Sequence, residues 1–258
     1  MNVIQLNKFA DLHDGEKIIF CKTDYIEEEF RSISKKNHDV VLITGNSDYC
    51  ITDDIVAAAP KNIKKWFCQN RLSNSFLLQS IPLGIENSEE CTRTGHGVGW
   101  PHAIEKLSIL SAPPSKSPTK FIYANFNINT NRSERTPLKG VSIESPHITW
   151  CEPNISYQDF VGEILDHKAV VCAQGNGMGD NHRIYETLYL SRIPITFSQE
   201  QFRNLHSLFP TVMISDINML KNYDYMSSRI ESCYKSINKK YLDFDYWKDM
   251  IIDSAKGI

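Results

Sequence analysis

The pattern with the clearest chemical meaning is a glycine-rich turn that lies between an apolar run and an amphipathic helix. Gly175, Gly177 and Gly179 permit positive φ angles and let the backbone approach a ligand closely. The predicted helix begins next to this turn, and the free N–H groups at its start favour anions. On that helix, Arg183 can bind a diphosphate, and the carboxylate of Glu186 can accept hydrogen bonds from both hydroxyls of a ribose. Together these residues predict a site for a nucleotide sugar.

Two common phosphate-binding motifs are absent from the same stretch. No Gly-Lys-Ser or Gly-Lys-Thr follows the glycines, as a Walker loop requires, and no simple G-x-G-x-x-G occurs, as the dinucleotide fingerprint requires. The remaining alternative is a solvated helical face that carries an Arg183–Glu186 ion pair.

A second candidate element for donor binding is the polar segment 121–135, which begins the C-terminal half of the chain. Its side chains that can donate hydrogen bonds are Asn125, Asn127, Thr130 and Asn131. Arg132 or Arg135 could neutralise phosphate at the start of the following helix. The alternative is a capped helix with two solvent-facing arginines.

The first half of the chain offers a candidate catalytic base. The apolar run 40–44 is followed by polar residues, and such residues at the carboxyl end of a central parallel strand point into a ligand cleft. Asp48 is the first candidate to remove the proton of an acceptor hydroxyl, while Asn46 and Ser47 are candidates to bind the acceptor. An Asx-type turn that leads to a helix cap at Thr52 is the alternative.

Two further loops of the first half could also bind an acceptor. Asn70 follows another apolar run, and Trp100 and His102 lie in a glycine-rich loop where an aromatic ring beside polar groups could stack on a sugar face. His96 of the same loop is the alternative to Asp48 as the base. A lone histidine in such a loop is otherwise a structural or surface residue.

A scaffold of parallel strands must position these residues. Short runs rich in Val, Ile and Phe alternate with segments of helical spacing, which predicts an α/β protein with helices covering parallel sheets. The predicted strands are residues 17–21, 40–44, 64–68, 77–81, 120–124, 148–151, 169–173, 193–197 and 211–214. The predicted helices are 27–34, 53–59, 133–139, 157–167, 180–191, 199–207, 225–237 and 246–255, with a short piece after 216.

A proline-rich connection divides the chain. Proline fixes its own φ and cannot donate to a strand ladder, so Pro113, Pro114 and Pro118 indicate a surface connection, after which the alternation restarts. We therefore expect an N-terminal acceptor-binding domain over residues 1–115 and a C-terminal nucleotide-sugar-binding domain over residues 116–258. The last helix of the chain is a candidate to pack back on the N-terminal domain.

The segment GNGMGDNHRIYETLYLSRIPI, residues 175–195, resembles the donor-binding signature of exostosin-like and related GT-B glycosyltransferases. In that signature a glycine-rich loop precedes an Asp…His-Arg…Glu-Ala-Leu helix and a Gly-x-Ile-Pro strand. This chain has Thr187 where the family usually has alanine, and Ser191-Arg192 where a glycine often ends the helix. The resemblance implies a GT-B type of α/β fold, in which two Rossmann-like domains face each other across a cleft.

The resemblance also implies an activity. A sugar would move from a UDP- or GDP-linked donor to a hydroxyl of an oligosaccharide or glycoprotein glycan, with inversion at the anomeric carbon. Arg183 would then contact the donor diphosphate and Glu186 the ribose. The predicted donor site comprises Asn125, Thr130, Arg132, Arg135, Gly175, Asn176, Gly177, Asp180, His182, Arg183 and Glu186. The alternatives are a non-catalytic nucleotide- or glycan-binding protein and a nucleotide-sugar epimerase on the same fold.

Composition limits these hypotheses. The 258 residues carry 31 acidic and 28 basic side chains, so nothing indicates nucleic acid as a partner. The seven cysteines are dispersed and lack the spacing of a metal site. We interpret the sole Asp-x-Asp sequence, Asp243 to Asp245, as the start of a helix. We therefore expect no catalytic metal and no cofactor. No apolar run is long enough for a membrane span or a signal peptide, and we expect a cytoplasmic protein.

Overall fold

The computed structural model describes residues 1–89, 102–175, 180–197, 205–235 and 238–258. Strands and helices alternate along the chain, which folds as two compact units. The first unit contains residues 1–104 together with 243–258, and the second contains residues 105–242. The predicted α/β class with parallel sheets is confirmed.

Every strand predicted from the sequence is present, and each end lies within two residues of its predicted position. The strands are β1 (Ile18–Lys22), β2 (Val40–Gly45), β3 (Ile63–Cys68), β4 (Leu78–Ser80), β5 (Lys120–Ala124), β6 (Ile148–Trp150), β7 (His167–Val171), β8 (Ile193–Phe197) and β9 (Val212–Ile214). The described α-helices are α1 (Leu6–Ala10), α2 (Ile26–Ile33), α3 (Asp53–Ala57), α4 (Ala103–Ser111), α5 (Arg132–Glu144), α6 (Tyr157–Asp166), α7 (His182–Tyr189), α8 (Tyr223–Tyr234) and α9 (Phe244–Lys256).

The first unit is built on a parallel sheet in the order β1-β2-β3-β4. On one face, Leu42 and Trp66 are fully buried and belong to the same apolar cluster as Phe30 and Ile33 of α2. On the other face, α1 and α9 lie against the sheet. Because both faces are covered, the strands are near-continuous apolar runs, which explains why they stand out in the sequence.

The second unit contains a parallel sheet in the order β6-β5-β7-β8-β9. Apolar residues of α5 and α8 share a buried cluster with one face of this sheet, and α6 contacts β5 and β7. The connection from β5 runs to β6 on one side, and the chain then returns to β7 on the other side. The strand order therefore reverses between β5 and β7, and ligands of open α/β sheets bind at the carboxyl ends of strands that flank such a reversal.

The C-terminal helix α9 belongs to the first unit. Its N-cap is Asp243, whose side chain accepts a hydrogen bond from the backbone N–H of Asp245, so the Asp-x-Asp sequence is a helix start, as predicted. The backbone N–H of Phe244 donates to the carbonyl of Asn2 at 2.8 Å, and the Phe244 ring lies 5.2 Å from that of Phe9 in an edge-on arrangement. Both chain ends are therefore held in one core.

Two helices were not predicted, and both are informative. Helix α1 is a single short turn with little periodicity to detect. Helix α4 lies just before the proline-rich connection, and the boundary between the two units falls inside it, between residues 104 and 105, whereas the predicted boundary lay between residues 115 and 116. Between the end of α4 and the start of β5, residues 112–119 form neither helix nor strand. No helix in the described ranges is both long and apolar enough to cross a membrane.

Gly84 is a position where the fold requires glycine. Its φ is 72°, and an added Cβ would lie 2.3 Å from the backbone oxygen of Ile4. We expect Gly84→Ala to lower the free energy of unfolding by about 1–3 kcal/mol, because both the left-handed conformation and the backbone contact penalise a side chain.

The matched control is Gly140→Ala in α5, where an added Cβ would meet no heavy atom within 4 Å. This change should stabilise the protein by up to about 1 kcal/mol, since alanine favours a helix interior. Thermal or urea unfolding of both variants measures the difference. Equal stability of the two variants would show that Gly84 is not under conformational constraint.

Candidate functional site

The donor-side residues of the second unit gather at the strand reversal between β5 and β7. Asn125 directly follows β5, while Gly175 lies in the loop that follows β7. Asn125 is 4% exposed, and its side-chain amide donates to the carbonyls of Cys151 and Glu152 beyond β6, at 3.3 and 3.0 Å. The side chain of Asn125 therefore joins the ends of β5 and β6. Its backbone carbonyl does not take part in these bonds and can accept from another side chain.

Arg135 joins the two loops that flank the reversal. It lies in the first turn of α5, and its Nε donates to the carbonyl of Gln174 at 2.7 Å, while its Nη1 donates to the carbonyl of Asn127, also at 2.7 Å. A third bond reaches the Ala173 carbonyl at 3.3 Å. Burial, reinforced by the nearby charge of Arg183, lowers the pKa of Arg135 to about 10. The positive charge of Arg183 thus disfavours the charged form of Arg135, and a bound anion would relieve this effect.

Arg183 and Glu186 are not a solvated helical face. Nε of Arg183 donates to Oε2 of Glu186 at 2.9 Å, and its Nη1 donates to the backbone carbonyl of Asn125 at 2.9 Å. The guanidinium lies over the ring of Phe160, with 4.0 Å from Cζ to the ring centroid. Its Nη2 finds no hydrogen-bond acceptor among the described residues, and the side chain is 28% exposed. Arg183 is therefore fixed in place and retains donors for a ligand.

Lys106 is the functional candidate that the sequence analysis missed. Its Nζ forms an ion pair with Oε1 of Glu186, whose side chain is 2% exposed, and the ammonium lies 5.5 Å from the ring centroid of Tyr157. Lys106 itself is 8% exposed. Both oxygens of the Glu186 carboxylate are thus compensated by cations, one from α7 and one from α4, as a buried charge requires.

Asp180 is turned into the protein. Its Oδ2 accepts a hydrogen bond from the hydroxyl of Tyr185 at 2.7 Å, and its Oδ1 lies 3.3 Å from Nε2 of His206. The side chains of Asp180 and His206 are 4% and 1% exposed. Asp180 therefore anchors the segment before α7. Its burial is explained by its contacts with Tyr185 and His206, without the predicted contact with a sugar phosphate.

The start of α7 differs slightly from its predicted position. Asn181 is the N-cap, and its side chain accepts from the backbone N–H of Ile184 at 3.3 Å. The helix begins at His182, two residues later than expected, and His182 is half-buried in its first turn. At the other end, Ser191 adopts a φ of 58°, the left-handed conformation that a glycine provides in the resembled signature.

Several donor-side candidates are less enclosed. Thr130 and Arg132 are exposed, and Arg132 donates to Oδ1 of Asn129 through Nε and Nη2, at 2.9 and 2.6 Å. Gly175 does not adopt a positive φ, and an added Cβ there would meet no heavy atom within 4 Å, so its conformation in the structure does not require glycine. Its carbonyl accepts from the side chain of Asn131 at 3.0 Å. The candidates Asn176 and Gly177, and the neighbouring Gly179, lie outside the described residues.

The acceptor-side candidates of the first unit follow β2 and β3. Asn46 is buried with a φ of 60°, and its backbone N–H donates to Oε1 of Gln69 at 3.2 Å. Asn70 has a φ of 50°, and its side chain donates to the carbonyl of Ser47 at 2.8 Å. Asn46 and Asn70 thus shape the loop, which presents Asp48 on the surface with its side chain exposed.

The remaining first-half candidates are only partly described. His102 is exposed at the start of a described range, whereas His96 and Trp100 lie outside the described residues. The thiols of Cys21, Cys68 and Cys172 are buried, and burial raises the pKa of each to about 12, so these cysteines are protonated core residues, as expected. Within the described ranges, no three His, Cys, Asp or Glu side chains converge as a metal site.

Comparisons with known proteins do not assign this chain to a family. No model of a known protein family matches it, and a search of curated proteins finds no similar sequence.

Arg132 and Arg135 are close in sequence but differ in environment, and this difference predicts different stabilities. Arg135→Ala removes three charge-assisted bonds to backbone carbonyls and should cost about 2 kcal/mol or more of unfolding free energy. Arg132→Ala, at an exposed side chain, should change it by no more than about 0.5 kcal/mol. Urea denaturation followed by tryptophan fluorescence measures both. If Arg132→Ala lowers the free energy of unfolding as much as Arg135→Ala does, the conclusion that only Arg135 is held by structural hydrogen bonds is wrong.

Proposed function

We propose that this protein is a glycosyltransferase of the GT-B, exostosin-like type, which moves a sugar from a nucleotide-sugar donor to a hydroxyl of a glycan acceptor. The observation that carries the proposal is the cluster of Arg183, Arg135, Glu186 and Lys106 at the strand reversal of the second unit. Cations held at the carboxyl ends of parallel strands, at a point where strand order reverses, suit a nucleotide diphosphate.

The diphosphate would lie against Arg183. This guanidinium is oriented by Glu186, by the Asn125 carbonyl and by the Phe160 ring, so little side-chain entropy is lost when it binds an anion. Its remaining N–H groups have the planar geometry that phosphate oxygens accept. Arg135 adds a second positive charge nearby, although its own hydrogen bonds go mainly to the loops.

The ribose would bind Glu186. A carboxylate has about four lone-pair directions, so Glu186 can accept from ribose hydroxyls in addition to Arg183 and Lys106. Since Glu186 is 2% exposed, a ribose reaches it when the side chain of Lys106 moves aside while Arg183 stays in place. Donor binding is therefore proposed to be coupled to a small rearrangement of this buried cluster.

The transfer step needs a base and a stabilised leaving group. We propose that Asp48 takes the proton of the acceptor hydroxyl while the hydroxyl oxygen bonds to the anomeric carbon and the bond from that carbon to the diphosphate oxygen breaks. The configuration at the anomeric carbon inverts in this single displacement. The charge that develops on the diphosphate would be stabilised by Arg183 and Arg135, and this makes a metal ion unnecessary in the proposal.

Nucleotide affinity tests the donor site. By calorimetry, Arg183→Ala should weaken binding of UDP or GDP by about tenfold or more, because it removes a charge-assisted contact to phosphate. Glu186→Gln should weaken binding of UDP more than binding of inorganic diphosphate, since it changes the ribose contact directly and the diphosphate contact only through the orientation of Arg183. The control is Arg229→Ala, an exposed arginine on α8 that should leave affinity unchanged. Unchanged affinity in Arg183→Ala, with normal thermal unfolding, would refute the donor assignment.

Turnover tests the proposed base and the absence of a metal. Asp48→Asn should lower kcat by about 10²- to 10⁴-fold while nucleotide affinity stays at the wild-type value. EDTA should leave wild-type activity intact, and activity that EDTA abolishes and manganese restores would overturn the metal-free mechanism. If the wild-type protein binds sugar nucleotides tightly but neither transfers nor hydrolyses the sugar, the non-catalytic alternative is correct.

A further inference from the structure

A surface cavity of about 280 Å³ lies in the first unit, beyond the carboxyl end of β1. Its lining comes from the turn after β1, the first turns of α2, the loop after β2 and helix α3. Among the residues predicted for the donor or acceptor, none of those that the structure describes lines it. The side chains that characterise it are Asp24, Tyr25, Glu27, Glu28, Arg31 and Tyr49.

Two tyrosines give the cavity apolar walls that face solvent. Tyr25 is 57% exposed and Tyr49 is 65% exposed, which places both among the few large hydrophobic side chains that the described residues leave at the surface. A tyrosine ring combines a flat apolar face with a hydroxyl that can donate or accept. The C–H face of a pyranose can stack on such a ring, while its hydroxyls can bond to neighbouring polar groups.

Carboxylates supply those polar groups and give the cavity a negative charge. Asp24, Glu27 and Glu28 line it against the single guanidinium of Arg31, which already lies 3.7 Å from Glu27. Lys22 lies nearby, 3.6 Å from Asp24 and 5.8 Å from the centroid of the Tyr25 ring. Burial is the largest single influence on the pKa of Asp24 and raises it, but nearby hydrogen-bond donors and the positive charge of Lys22 together outweigh burial and lower the pKa below its ordinary value. A uronate or sulfate group would meet like charge here.

The cavity shares one residue with the loop that carries the proposed base. Tyr49 lines the cavity, and it is the residue after Asp48. A saccharide seated between the two tyrosines would therefore lie beside Asp48.

We propose that this cavity binds a saccharide without acidic groups, a neutral or amino sugar, through stacking on Tyr25 and Tyr49 and hydrogen bonds to the carboxylates. The identification of this saccharide as the acceptor of the transfer rests on the proposed function. The proposal that the cavity binds a saccharide does not rest on it.

The test uses saturation-transfer NMR on the full chain with methyl glycosides of glucose, galactose, mannose, N-acetylglucosamine and glucosamine, and with the matching glucuronide and galacturonide. We expect at least one neutral or amino glycoside to bind and its uronate counterpart to bind at least about threefold more weakly. Tyr49→Ala should weaken the glycoside that binds by about threefold or more. Phe76→Ala, at a fully exposed ring outside the cavity, should have no effect.

Charge reversal provides a second readout. Glu28→Lys should narrow or invert the preference against uronates without loss of thermal stability, since the side chain is exposed. The proposal fails if no neutral or amino glycoside binds, if uronates bind equally well to the wild-type protein, or if Tyr49→Ala keeps full affinity. Failure of nucleotide binding in the Arg183 experiment would leave these results unaffected, so the two proposals are refuted separately.

Discussion

The cluster at the strand reversal of the second unit depends on the burial of one carboxylate. Glu186 is 2% exposed, and an ionised carboxylate leaves water at a cost of several kcal/mol unless charged partners compensate it. Arg183 and Lys106 provide that compensation from α7 and α4. Arg183 also donates to the carbonyl of Asn125, which ties the ion cluster to the end of β5. One buried charge thus fixes the relative positions of two helices and a strand end.

The sheets were predictable because parallel strands are buried on both faces and appear in the sequence as apolar runs. The limits of that criterion are visible at β7. The run 169–173 predicted this strand, but pairing with β5 begins two residues earlier, where His167 lies opposite Lys120. The first two residues of β7 are a histidine and a lysine, and a search for apolar residues does not detect them. Its position is set by the neighbouring strand rather than by its own composition.

Helix α4 and its buried lysine, Lys106, could not be predicted for a related reason. Its buried positions are Ala103, Lys106 and Leu110, which have helical spacing, but a lysine does not count toward an apolar stripe. Lys106 is buried because Glu186 is there, and that contact joins residues 80 positions apart. Arg132 and Arg135 present the same problem on a smaller scale. Both lie in the first turn of α5, and only the loop after β7 decides that Arg135 is the one that is enclosed.

The two proposed substrate sites carry opposite charge, a difference that the formal net charge of −3 for the whole chain does not show. At the strand reversal, Arg135, Arg183 and Lys106 outnumber the single carboxylate of Glu186. In the cavity of the first unit, carboxylates outnumber the one guanidinium. A nucleotide diphosphate would therefore be attracted to the first site and repelled by the second, and an amino sugar would have the opposite preference. For this pair of ligands the charges of the two sites would oppose an exchange of places, whereas a neutral sugar would be selected by its contacts with Tyr25 and Tyr49.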